Sequence, residues 1–412
     1  QENDPDFANK TRLLFFNNKG LGPCRQGQYV ETHKIFINQQ KTTRKDETEE
    51  LVMQFLVGHE NKGLNTGFPA WVFARGVQSA VMQGVLHQLL ANGSSQCKDF
   101  AEYQAFKQAY RNLKDELNHI LEHKMRPSPA ALDVAKTFAR LPGVNYLVNY
   151  FAYGLHRSDL HRPIRAFARQ WCAKPLKGDP TRIHIDGEAY MRIAQYENVH
   201  KTLLATLGFR QFILTHTPVW GFLDYKLASM LMRAREAVDE SRAELRRTVE
   251  DAERKRIIDF KRKKQVRLLG LRAVHFMLRG IIAKPFYKAA GLTMPEAMPK
   301  VLNVAESVIS TKRPGGELVP YVGEAMLKLQ NGYDLILNVA PEGCMVSSMG
   351  EAITPGIYSA VPEAKGKIQH LFSQQGDVDE ELISLALLKT IGPERYYRAA
   401  EAIEHEQYNV KS

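Results

Sequence analysis

The stretch Tyr333-Asp334-Leu335-Ile336-Leu337-Asn338-Val339-Ala340-Pro341-Glu342-Gly343-Cys344-Met345 decides how this chain is read. Leu335 to Ala340 is a mostly apolar run of strand length. Pro341 stops it, Gly343 opens a turn, and a helix-like segment follows. Cys344 then stands in the loop at the carboxyl end of a strand, just ahead of a helix N-terminus. In open α/β sheets ligands bind at that end. Helix N-termini also lower thiol pKa and favour bound negative charge, anionic iron–sulfur clusters included.

A second stretch has the same grammar. Leu13 to Phe16 reads as a short strand, followed by Gly20-Leu21-Gly22-Pro23-Cys24-Arg25-Gln26-Gly27-Gln28-Tyr29. Gly20, Gly22 and Gly27 allow close backbone approach, and Pro23 suits the first turn of a helix. Val30, Ile35 and Ile37 continue it as a helical pattern. Two cysteines, Cys24 and Cys344, are thus expected at strand-to-helix loops.

Working outward, residues 1–100 read as a first α/β lobe, with a strand at Leu51–Val57. In the helix from Ala70 to Leu90, Val72, Val77, Val81, Val85 and Leu89 recur at helical spacing. Residues 101–177 read as a helical insertion or bridge, cut by Pro127, Pro129 and Pro142. Residues 178–412 read as a second α/β lobe. Its strands are expected at Arg182–Ile185, Phe209–Leu214, Leu335–Ala340 and Lys367–Phe372. Its helices are expected at Asn198–Gly208, with Gly208 as C-cap, at Val301–Val308, Val322–Leu329 and Glu380–Leu388. A basic helical insertion occupies about 227–295. The βαβ alternation implies parallel strands. The fold class is therefore α/β: two Rossmann- or flavodoxin-like lobes with parallel sheets plus helical insertions.

Composition sets limits. The chain has 412 residues, 44% hydrophobic and 25% charged, enough for two or three ordinary globular domains. No apolar run approaches the roughly 18 residues of a membrane-spanning helix. The polar, acidic start at Gln1 lacks a secretory signal pattern, and the missing Met suggests processing or a longer polypeptide. Four cysteines, Cys24, Cys97, Cys172 and Cys344, form no CxxC, which fits a reducing cytoplasm. Cys172, beside Trp171, reads as buried. The net charge of +11 is concentrated between about Arg233 and Arg272. The basic stretch 254–267 alternates with Asp251, Glu253 and Asp259 and has few aromatics. It reads as a solvated face or a docking surface for another subunit rather than a nucleic-acid site.

His59, His184 and His216 lack an HxxxH spacing, which argues against zinc. No GxxxxGK[ST] is present, so the chain is not read as an ATPase itself. Glu188 and Glu324 each follow a glycine and read as helix caps or first-turn acids.

Taken in order, Gly22-Pro23-Cys24-Arg25-Gln26-Gly27-Gln28-Tyr29, then Ile185-Asp186-Gly187-Glu188-Ala189-Tyr190-Met191-Arg192 with Tyr196-Glu197-Asn198, then Pro218-Val219-Trp220, Gly323-Glu324 and Asn338 to Met345 carry a resemblance. The set resembles the C-terminal region of the 2-hydroxyacyl-CoA dehydratase activase-related proteins and spans about 13–390. Relatives include benzoyl-CoA reductases and double-cubane cluster proteins. The resemblance implies two Rossmann-like lobes with an iron–sulfur cluster, most simply 4Fe-4S, between them. Electrons would come from an ATP-dependent activase in an anaerobic metabolism. Cys24 and Cys344 would be ligands, with Cys97 in the interval of a third. Arg25 would neutralise cluster or phosphate charge, or pair with a carboxylate.

Two departures stand out. A double cubane needs more cysteines than the chain has, and about 227–295 reads as an addition or a strongly diverged segment. The expected function is an iron–sulfur electron-transfer or reductase component, acting as a homo- or hetero-oligomer on an acyl-CoA-type or other hard-to-reduce substrate. The alternatives are a cluster-free assembly subunit of the same fold, or a nucleic-acid-binding protein using the basic helix.

Overall fold

The computed structural model describes residues 12–19, 52–59, 70–124, 157–173, 179–312, 316–373 and 377–394, apart from Arg210, with a few isolated positions. Contacts divide the chain into two units: 1–69 with 314–316, and 70–313 with 317–412. In the first unit, strands β1 (Arg12–Lys19) and β2 (Val52–His59) pair in parallel, Arg12 opposite Val52 through Lys19 opposite His59. Both strands fall where the apolar runs predict them. The Cys24 loop, with Arg25, lies outside the described residues, and so does His59's side chain.

The second unit is mostly helical, built around one four-stranded parallel sheet of order β4-β3-β5-β6. Its strands are β3 (Thr181–Gly187), β4 (Phe212–His216), β5 (Leu335–Pro341) and β6 (Ile368–Ser373). This agrees with an α/β class. The helix α1 (Ala70–Ser95), which the sequence boundaries gave to the first lobe, falls by contacts in this unit and packs on β4. The helical segment that follows includes α2 (Phe100–His119), started by the Asp99 side chain accepting from the Glu102 N–H, and α3 (Arg157–Trp171).

Both faces of the sheet are covered, and the strand sequences show why. Ile183, Ile185, Leu335, Leu337 and Val339 alternate into a core shared with Val81, Val85 and Leu89 of α1. The same core takes Tyr196, Val199 and Leu203 of α5 (Tyr196–Leu207), a helix closed by Gly208 at φ 79°. Ile336 and Ile368 point the other way. They share a core with α9 (Met298–Ala305), α10 (Leu318–Gln330) and α11 (Met345–Ala360). Burial on both faces is what makes parallel strands near-continuous apolar runs.

After β3 the chain passes through α4 (Ala189–Ala194) and α5 to β4 on one side of β3. It later returns to lay β5 on the other side. The strand order therefore reverses between β3 and β5, the topological switch point of a doubly wound sheet.

The expected basic insertion is a two-helix hairpin, α6 (Val219–Arg247) and α7 (Asp251–Phe276), continued through a π-helical stretch, Met277–Ala283, into α8 (Lys284–Ala290). At its base the buried Asp224 carboxylate meets the Arg279 guanidinium and lies 2.7 Å from His275 Nε2. Arg279 also donates to Pro295 O at 2.7 Å and lies over the Trp220 ring. After β6 comes α12 (Glu380–Ile391), capped by Asp379. Among the described residues no helix is long and apolar enough to cross a membrane.

Candidate functional site

The loops after β3 and β5 meet at the switch point. After β5, the Cys344 N–H donates to Pro341 O at 3.1 Å, closing a four-residue turn in which Gly343 has φ 71°. That left-handed position is why a glycine precedes the cysteine. Cys344 is the N-cap residue of α11, with extended backbone. Its carbonyl accepts from Ser348 N–H at 3.0 Å and Ser347 Oγ at 2.7 Å. The residue is half-buried. It therefore occupies the strand-to-helix loop that the sequence indicates.

After β3 the chain is drawn against β5. Glu188 N–H donates to Val339 O at 2.9 Å. Gly187 has φ 116°, and a Cβ there would lie 2.1 Å from Val339 O. Glu188 then caps α4, its carboxylate accepting from Met191 N–H at 2.8 Å. This agrees with the capping role expected of it. Glu324 differs: it sits inside α10, 2% exposed, and caps nothing.

A row of buried polar side chains crosses the sheet beneath α10 and α11. The register places Asp186 opposite Asn338 and Asn338 opposite His370. Asn338 Nδ2 donates to His370 Nδ1 at 3.0 Å and to Val346 O at 3.2 Å. His370 Nδ1 is then an acceptor, so its Nε2–H donates to Thr354 Oγ1 at 3.1 Å, whose own hydroxyl donates to Gly350 O. Burial lowers the His370 pKa, which agrees with a neutral ring. Val346 and Gly350 belong to the first turns of α11, so this row fixes the helix that begins at Cys344.

Asp186 is 1% exposed and would be costly as a lone charge. Arg192 Nη1 lies 2.8 Å from its Oδ1, and Gly187 N–H donates to the same oxygen at 2.8 Å. Burial still raises the Asp186 pKa, against the pull of Arg192. Arg192 Nη2 also reaches Glu317 Oε1 at 3.5 Å, and Ala189 N–H donates to that oxygen at 3.0 Å. Glu317 is raised to about 7, mainly by burial. The buried guanidinium thus faces two carboxylates. The triad locks α4 and the start of α10 onto β3, and it occupies the Arg192 guanidinium.

Of the sequence-predicted residues, Cys344 stands at the switch point, while Cys24 and Arg25 lie outside the described residues. Cys97 is 2% exposed after α1, its Sγ donating to Gly93 O at 3.5 Å. It belongs to the core on one face of the sheet, and Cys344 borders the core on the other. Cys172, read as buried, is half-buried against the same core as Cys97. Its thiol is pushed up to about 12 by burial and by Cys97 nearby, the opposite of what a ligand thiolate needs. Among the described residues no group of three or more His, Cys, Asp or Glu side chains is spaced to hold a metal ion.

Sequence reasoning missed the polar row and the Asp186–Arg192–Glu317 triad. The readable signal was His184, Asp186, Asn338 and His370 at alternating positions inside otherwise apolar strands. Comparison with protein families, with curated proteins and with solved structures finds no match to this chain.

Proposed function

We propose that the chain is an iron–sulfur electron-transfer component, with Cys344 as a cluster ligand at the switch point and Cys24 as a second. The observation that carries the reading is the place of Cys344: a half-buried N-cap cysteine at the carboxyl end of a central parallel strand. The resemblance supplies Cys24, the 4Fe-4S nuclearity and an ATP-dependent activase as electron donor. Thiolates suit iron because soft sulfur binds it deprotonated. Bound there, the cluster would supply one-electron chemistry at low potential.

The chain's own residues have separate tasks. The Pro341–Cys344 turn presents the sulfur, and the Asn338–His370–Thr354 row holds the helix behind it. Cys97 is left out of the ligand set, because its sulfur is sealed in a core and satisfied by its own helix.

The test is anaerobic reconstitution with iron and sulfide, read by metal counting and by EPR after reduction. Wild type should hold stoichiometric iron and sulfide. Cys344→Ser and Cys24→Ser should each lose the signal, and Cys97→Ser should keep it. Wild type that takes up no iron, or a spectrum unchanged by both ligand substitutions, overturns the proposal and leaves a cluster-free subunit of this fold.

A further inference from the structure

A cavity of about 330 Å³ lies against β3 and β4, bounded by α10 and by the Leu292–Pro295 segment. One part of its wall is self-satisfied. Thr215 Oγ1 donates to the Tyr333 hydroxyl at 3.2 Å, His184 Nδ1 lies 2.8 Å from Thr215 Oγ1, and His184 Nε2 lies 3.2 Å from Thr217 Oγ1. The other part is not. Glu324 Oε1 is buried, in a residue 2% exposed, and has no hydrogen-bond partner among the described residues. A buried acceptor left without a donor is costly. An unpaired buried carboxyl oxygen on the wall of a polar cavity indicates a molecule that completes it.

The charge pattern narrows the class. Lys328 lines the cavity half-buried, its Nζ 5.1 Å from the Tyr333 ring centroid, with no ion pair among the described residues. It stands one turn of α10 from Glu324. An ammonium and a carboxyl on one wall match a carboxylic acid: the ligand carboxylate meets Lys328 and shares a proton with Glu324. Two carboxyls side by side cannot both ionise at little cost, so they hold one proton between them. The Tyr333 hydroxyl, which accepts from Thr215 and keeps its own hydrogen to donate, suits a hydroxyl or carbonyl on the same molecule. A phosphate would need more cationic donors than one lysine, and an amine would be repelled by Lys328.

We propose that this cavity is a binding site for a small polar carboxylic acid of roughly three to six carbons, a size set by a volume near the lower end of small-molecule pockets, about 300 Å³. The site is distinct from the cysteine loop and stands whether or not a cluster is bound.

The protonation that binding needs is available. Burial raises Glu324 to about 7, against Lys328, with Asp186 and Glu296 acting in the same direction as burial and Arg192 opposing it. The other titratable groups on the cavity wall, His184 and His216, are held neutral, because burial lowers both well below the usual imidazole range. Binding should therefore be pH-independent below about 7 and weaken about tenfold per pH unit above it, since one proton is taken up.

The test is isothermal titration of the full chain with lactate and with pyruvate, from about pH 5.5 to about pH 8.5, a window that brackets the shifted carboxyl. Lactamide, ethanolamine and inorganic phosphate are the comparison ligands. The expected result is binding of the acids and not of the comparison ligands, a loss of at least tenfold in Lys328→Met, and a flat pH profile with binding retained in Glu324→Gln. Circular dichroism establishes that each variant is folded. Should Glu324→Gln not fold, Lys328→Met and the amide comparison decide alone. No binding of either acid, equal binding of lactamide, tighter binding of phosphate, unchanged affinity in Lys328→Met, or a pH slope that survives in Glu324→Gln each overturns the proposal.

Discussion

Replacing Glu324 by glutamine should change how the stability of this protein depends on pH. Glu324 is 2% exposed inside α10, and burial raises its carboxyl from 4.5 to about 7. A carboxyl raised on folding holds its proton more tightly in the native state. Its contribution is fully present below pH 4.5 and is lost as pH rises through 7. A shift of about 2.5 units at about 1.4 kcal/mol per unit gives about 3 kcal/mol lost between pH 4.5 and pH 8. The buried histidines act with the opposite sign. His87 and His200 are lowered to about 4 and about 3, so their contribution is lost as pH falls below 6.5. The absolute profile mixes both signs, but the difference between wild type and Glu324→Gln isolates the glutamate. Urea unfolding followed by circular dichroism at several pH values measures that difference. Wild type should lose about 3 kcal/mol relative to the variant between pH 4.5 and pH 8. A difference that stays flat, or that grows in favour of wild type with rising pH, refutes the reasoning.

Other expectations follow from single contacts. Gly187→Ala puts a Cβ 2.1 Å from Val339 O at φ 116°, so it should destabilise by more than about 3 kcal/mol; a soluble variant melting like wild type would contradict this. Asp224→Ala strips the carboxylate from Arg279 and should cost about 3–5 kcal/mol, read as a lower melting temperature. Arg262, Lys263 and Arg267 are exposed on α7, so changing them to glutamine should move stability by no more than about 0.5 kcal/mol.

Much of the second unit was legible because local chemistry and tertiary packing agree there. The strands expected at 182–185 and 335–340 became β3 and β5, Gly208 ends α5, and Cys344 lands at a helix start as its Pro-Glu-Gly prelude indicates. What could not be read was long-range. Nothing local says that β5 lies beside β3, or that Glu317 waits for Arg192 more than a hundred residues away. Glu324 follows a glycine and so looks like a cap. Gly323 is there for another reason, since a Cβ would lie 2.2 Å from Val301 O where α10 crosses α9. The long basic region read as one helical stretch because Thr248-Val249-Glu250, which turns it into a hairpin, contains neither glycine nor proline.

The central claim is that the sulfur of Cys344 binds iron at the sheet's switch point. Crystals of anaerobically reconstituted protein, with diffraction recorded on both sides of the iron absorption edge, test it most directly. The account predicts an anomalous peak within bonding distance of Cys344 Sγ, absent from Cys344→Ser crystals. Iron density elsewhere, with the Cys344 sulfur unbound in wild type, would contradict it.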